Sequence, residues 1–215
     1  MQYKSLRFTK IVFASLALVI SCSQKKENAT SRTDLNTELV ISSGNYRADI
    51  GSSNLTWIGR KISSGHDGTI DLKSGILEIG NDGSIYGKFD IDMTSISVSD
   101  LQGGGKKSLE RHLKNEDFFD VIKFPTASIE FKSNTKNISN NKLSVLSNLT
   151  IKNITHPLKF NAQIFETSPK LKINADMVFD RSIYDVRYGS GKFFENLGDR
   201  LILDEVQVGA TLIFN

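Results

Sequence analysis

From Gly44 to the C-terminus, apolar side chains recur at every second residue, and this period of two limits the fold more than any other feature of the chain. Ile85, Gly87, Phe89, Ile91 and Met93 alternate with Tyr86, Lys88, Asp90 and Asp92. The same beat runs through Leu143, Val145, Leu149 and Ile151, and through Leu158, Phe160, Ala162 and Ile164. It continues in Leu171, Ile173, Ala175, Met177 and Phe179, and in Val206, Val208, Ala210, Leu212 and Phe214. Such alternation puts one face of a strand in an apolar interior and the other toward water. Asn81-Asp82-Gly83 between two runs is a hairpin signal. Shorter runs at Tyr46–Ile50, Asn54–Lys61, Thr69–Lys73, Ile76–Ile79 and Ala127–Lys132 bring the expected number of strands to between eight and ten. The only 3.6-residue pattern falls between Lys106 and Asn115, where Leu109, His112 and Leu113 share a face. Ser108 is its expected cap, and Gly103-Gly104-Gly105 its flexible entry. Helices and strands do not alternate, so a parallel α/β sheet is excluded.

A sheet of that many strands buries its apolar face by stacking as a sandwich or by closing into a barrel without edges. About eight strands make a barrel whose interior is either filled by side chains or holds one small ligand. The inward set mixes Phe89, Phe160, Phe179 and Phe214 with Gly87, Ala162, Ala175 and Ala210, and small inward residues leave room. Periodicity alone does not separate an open channel from a packed core with large–small interdigitation.

The N-terminus belongs to a different kind of segment. Lys4, Arg7 and Lys10 precede an apolar run, Ile11 to Ile20, broken only by Ser15. Ten helical residues cover roughly 15 Å, about half a bilayer's hydrocarbon, so a secretory leader fits better than a membrane span. The run ends in Val19-Ile20-Ser21-Cys22, which resembles a bacterial lipobox, and that resemblance implies cleavage before Cys22 and its acylation. The alternative is an incidental cysteine at the end of an ordinary leader. Cys22 is the only cysteine, so an intramolecular disulfide is excluded. Multiple acyl chains would hold the protein at a membrane without a further anchor. Residues 23–43 are polar and lack aromatics, as a flexible tether does. The expected organisation is therefore leader 1–21, acylated Cys22 and tether 22–43, and an all-β domain 44–215. The whole chain carries a formal charge of +3, and removing the leader's three basic residues leaves 24 of each sign. A balanced mature chain does not call for nucleic acid as a partner.

Several motifs occur in a fixed order. A Ser53-x-Leu55-x-Trp57 strand is followed by Gly65-His66-Asp67-Gly68. Then come His112-Leu113-Lys114-Asn115-Glu116-Asp117-Phe118-Phe119-Asp120-Val121 and Phe124-Pro125-Thr126-Ala127. Leu149-Thr150-Ile151-Lys152-Asn153-Ile154-Thr155-His156-Pro157, Asp180-Arg181-Ser182-Ile183-Tyr184 and Phe193-Phe194-Glu195-Asn196-Leu197-Gly198-Asp199 complete the series. In this order and spacing, over about residues 46 to 215, the chain resembles the YceI-like lipid/polyisoprenoid-binding family. The stretch Tyr188 to Phe194 resembles members from Bacteroidetes-type bacteria. The resemblance implies a lipocalin-like antiparallel barrel with a long apolar tunnel for an isoprenoid or fatty-acyl chain. One position departs from the pattern: Asp185 follows Tyr184 where many members carry glycine.

The expected ligand-contacting residues are Trp57, His66, Phe89, Ile91, Phe118, Phe160, Ala175, Phe179, Arg181 and Tyr184. Trp57 lines the cavity or plugs one end; Phe118 and Phe119 form a lid or pack in the core. Arg181 is either a bidentate partner for a phosphate or carboxylate, or a structural ion pair with Asp180 or Asp185. His66, His112 and His156 are the only histidines, separated by 46 and 44 residues. That spacing lacks a local metal-ligand pair, so no metal is expected and His112 and His156 are read as satisfied structural residues. No nucleophile motif such as Gly-x-Ser-x-Gly occurs. The expected function is thus non-enzymatic binding of an apolar long-chain lipid at the cell envelope, without a cofactor. The alternative is an envelope interaction protein with a filled barrel.

Overall fold

The computed structural model describes residues 41–167 and 170–215. The leader, Cys22 and residues 23–40 of the expected tether lie outside the described residues. Ten strands and one α-helix follow from Gly44: β1 Gly44–Arg47, β2 Asn54–Lys61, β3 Gly65–Ile79, β4 Ser84–Val98, α1 Gly103–Lys114, β5 Thr126–Asn134, β6 Ile138–Ser139, β7 Lys142–Ile151, β8 Ile154–Thr167, β9 Lys170–Asp180 and β10 Ile202–Phe214. All pairings are antiparallel, in the order β3-β2-β10-β9-β8-β7-β5-β4, and β4 pairs back onto β3. Eight strands therefore close into a barrel, as the alternation requires of a sheet that must hide one whole face. Strand β1 continues the stave begun by β2: it pairs with the far half of β3, and Ala48 bridges Phe214.

The interior is the set that alternates in sequence. Along β9, Leu171, Ile173, Ala175 and Met177 are buried while Asp176 and Val178 face outward. The two short runs expected at 69–73 and 76–79 are one strand. The β3–β4 register shifts between Leu72 and Ser74, so the inward parity changes from Leu72 to Gly75 and Leu77 without a break in the strand. The Asn81-Asp82-Gly83 hairpin forms, with Gly83 at φ 80 and Asp82 accepting from the Ser84 amide at 2.9 Å.

Strand β8 starts earlier than its alternation suggests, because a two-residue turn, Lys152-Asn153, joins it directly to β7. Both turn residues have positive φ, the geometry whose twist suits a tight hairpin. Pairing of β8 with β9 covers only Asn161 to Thr167. Pro157, which has no amide to donate, sits in the stretch of β8 without a β9 partner. The helix also differs from expectation. It begins at Gly103, so the glycine triplet forms its first turn, and its N-cap position is Gln102, which makes no side-chain capping bond. Glu110 fixes it to the barrel by accepting from the Val98 amide at 2.9 Å and Ser97 Oγ at 3.2 Å.

Candidate functional site

The barrel does not fill its own interior. An upper cavity of about 140 Å³ lies under α1, at the end where β2, β4, β7 and β9 finish. A lower one of about 70 Å³ lies toward the β3–β4 hairpin. No polar atom is exposed on either wall. A wholly apolar cavity of about 150 Å³ stays dry and accepts apolar guests, because water there would forgo its hydrogen bonds. Both cavities are smaller than the roughly 300–1,000 Å³ typical of small-molecule pockets. A thin, flexible chain fits such a space better than a bulky ring system. From Leu171 to Phe179 the inward residues of β9 cover roughly 26 Å of strand, or about 20 Å of barrel axis at the usual tilt.

Most of the expected contact residues lie on these walls. Trp57, Phe118, Phe179 and Arg181 line the upper cavity, Phe89, Phe160 and Ala175 the lower, and Ile91 both. Trp57 is held in place by its indole N–H, which donates to the Thr69 carbonyl at 3.2 Å. Phe118 and Phe119 stand edge to face at 5.2 Å and form wall rather than an outer lid.

Two expectations are corrected. His66 is not among the residues that line either cavity: it shares the inward parity of Gly68 but stands partly exposed at the rim, with Nδ1 2.8 Å from Asp100 Oδ2. Tyr184 is buried but lines neither cavity; it packs edge to face on His156 at 5.3 Å and Phe179 at 5.9 Å. There it covers the part of β8 that lacks β9 pairing, and burial pushes its phenol pKa up.

The inward glycines differ in what surrounds them. Gly87 does not open the interior, since a Cβ there would meet Phe131 Cε1 at 2.4 Å: the ring already occupies the space. Gly59, by contrast, lines the upper cavity, and a Cβ there would have nothing within 4 Å. Its signal was present, because Leu55, Trp57 and Gly59 share one parity in β2.

Arg181 is 1% exposed, and its guanidinium is committed to the protein itself. It donates to the carbonyls of Val186 and Tyr188 (both 2.9 Å), Ile202 (3.1 Å) and Leu203 (3.3 Å). Its ion-pair partner is Asp204, with Nη2 3.3 Å from Oδ1 at an angle that makes no hydrogen bond. The structural alternative therefore holds with a different carboxylate. Asp180 is taken by Lys192 and Ser182, and Asp185 by Arg187. Burial pulls the guanidinium below its usual range, opposed by the charges of Asp204 and Asp180. Since the cavity wall bears no exposed polar atom, only the carbon part of Arg181 faces the cavity.

Among the described residues no group of three His, Cys, Asp or Glu side chains is placed to hold a metal. His156 Nε2 lies 3.1 Å from the Ile183 carbonyl. His112, expected to be satisfied, has a buried Nε2 with no partner and packs edge to face on Tyr188 at 4.4 Å and Phe118 at 5.6 Å.

A closed eight-stranded antiparallel barrel with a carbon-walled interior and a helix across one end is a lipocalin-like architecture. Residues 46–214 match the YceI-like domain, and the chain belongs to that family. Solved structures share the fold. BcnA of Burkholderia cenocepacia is 19% identical with a TM-score of 0.61, covering 77% of this chain and 98% of its own. A polyisoprenoid binding domain from Saccharophagus degradans, implicated in plant cell wall breakdown, is 13% identical with a TM-score of 0.60, covering 79% and 97%. The YceI protein of Campylobacter jejuni is 13% identical with a TM-score of 0.50, covering 99% and 97%. No curated protein sequence matches the chain.

Proposed function

We propose that this protein binds the tail of a long apolar lipid, isoprenoid or fatty-acyl, inside the barrel and carries it without chemical change. The observation behind this reading is the upper cavity, whose wall offers only carbon to whatever enters. Burying each methylene contributes about 0.8 kcal/mol, so a tail of even ten carbons binds tightly without polar contacts. Membership of the YceI-like family supports the reading, and the Saccharophagus domain, with the same fold, is a polyisoprenoid binding domain. Acylation of Cys22 would tether the barrel to the cell envelope, with residues 23–43 as the leash.

The test is to make the domain without its acylated anchor, extract it with organic solvent and identify the extract by mass spectrometry. A stoichiometric prenyl or acyl species is the expected result. Gly59→Phe should fold, since the ring enters open space, and should lose that species. An empty wild-type extract would overturn the reading in favour of an interaction protein, whose exposed Tyr188, Phe193 and Phe194 would then be the contact surface. For the tether, Cys22→Ala should leave the full-length protein free of membranes; sedimentation with them would refute lipidation.

A further inference from the structure

The two cavities share four wall residues: Leu55, Ile91, Ile129 and Met177. Residues that face both chambers stand where one gives way to the other. Met177 is on β9 and Ile91 on β4, four places apart in the closed ring of eight, so the two side chains approach from opposite walls. Leu55 on β2 and Ile129 on β5 close the remaining sides. Three of the four are aliphatics with branched, stiff side chains. Met177 is unbranched, with more rotatable bonds and a polarizable thioether that adapts to irregular space. It is therefore the member of this waist that can turn aside at least cost.

We propose that Met177 is the length-determining residue of the tunnel. A tail that fills only the upper chamber ends against it, and a longer tail reaches the lower chamber only by displacing it. This inference rests on the container reading and adds what that reading leaves open, namely which tails are preferred. The lower chamber beyond the waist, lined by Ala162, Ala175 and Ala210 among others, is apolar throughout, so the obstruction is steric and not chemical.

The probe is a series of linear primary alcohols from decanol to eicosanol, added singly to delipidated protein, with affinity read by displacement of a fluorescent fatty acid. In wild type, affinity should rise about fourfold per added methylene until the tail meets the waist, and much less beyond that length. In Met177→Ala the chambers merge and the fourfold rise should continue past the wild-type break. Met177→Leu, which conserves volume and so keeps the fold, removes the flexibility; it should keep the break at the same length and lower the affinity of longer alcohols about tenfold or more. A break at the same length with the same slope in wild type, Met177→Ala and Met177→Leu would overturn the role of Met177. Should Met177→Ala fail to fold, a Met177→Leu profile identical to wild type is sufficient to overturn it. Failure of every alcohol to bind wild type would instead refute the container reading.

Discussion

Replacing Arg181 by methionine is expected to unfasten the upper end of the barrel. The guanidinium ties four carbonyls, from Val186, Tyr188, Ile202 and Leu203, to the end of β9 and stands beside the Asp204 carboxylate. Methionine fills similar apolar volume but takes that donor from the four carbonyls and leaves Asp204 with only the Lys192 amine, 4.0 Å away. Removing one member of a buried ion pair typically costs about 3–5 kcal/mol, because the desolvated partner is stranded. Carbonyls that relax toward water recover part of the loss, so about 4 kcal/mol is a reasonable magnitude. For a domain of this size that corresponds to a fall in melting temperature of roughly 8–16 °C. Arg181→Lys keeps the charge, but three donors on one nitrogen cannot span the same fork, and about half the loss should remain. Circular dichroism melts measure the first quantity. Amide exchange locates it: the Ile202 amide, bonded to the Gly189 carbonyl at 2.8 Å, should exchange faster than amides of the β3–β4 ladder. If Arg181→Met melts within about 2 °C of wild type, the buried guanidinium does not fasten this end and the argument fails.

Gly87→Ala places a Cβ 2.4 Å from a Phe131 ring stacked on Phe89, an overpacking that should cost about 1–3 kcal/mol in urea denaturation; Gly59→Ala, in open space, should cost less than half as much, and equal losses would refute the distinction. Acid should loosen the upper end. The Val98 amide, Ser97 and Lys106 hold the Glu110 carboxyl below its ordinary value, and for Asp180 the bonds from Lys192 and Ser182 outweigh the opposing effect of burial. Folded values below the unfolded ones mean that this stabilisation is complete above about pH 5 and is lost as pH falls through the lowered values, below about 4. Exchange in α1 and in residues 181–204 should therefore accelerate below about pH 4, and exchange there that does not change with pH beyond its intrinsic dependence would sink the claim. Asn153→Gly relieves a positive φ of 60 in the β7–β8 turn and should raise stability by about 0.5–1 kcal/mol in the same urea assay, with a decrease counting against the turn assignment.

The barrel was legible because its signal is repeated. Each inward face is written out in its own strand, and the eight faces agree on one interior. What was not legible depends on register, which a single strand does not carry. The β3 bulge at Lys73–Ser74 reverses parity within an unbroken strand, so a sequence read for strict alternation divides it in two. Lys152-Asn153 lacks the glycine that usually marks a tight turn, and His156-Pro157 interrupts the apolar beat; only the missing β9 partner explains why a proline is tolerated there.

The same dependence on register decides whether the barrel is full or hollow. Gly59 and Gly87 are both inward glycines in long strands, and nothing local distinguishes them. Gly87 lies directly across from Phe131 on β5, whose ring folds over it and closes the space. Gly59 lies across from His66 and Val206; the His66 ring is held by Asp100 and lines neither cavity, and Val206 is too short to cover the gap. One glycine therefore makes room for a neighbour's ring, and the other leaves open space on the cavity wall. Aromatic content by itself does not predict an open channel: the Phe131 ring takes the space over Gly87, whereas Trp57 and Phe179 leave the space over Gly59 open. Whether a barrel of this fold is open inside is specified by which residues stand opposite its small ones, and that pairing becomes readable only once the strands are set beside each other.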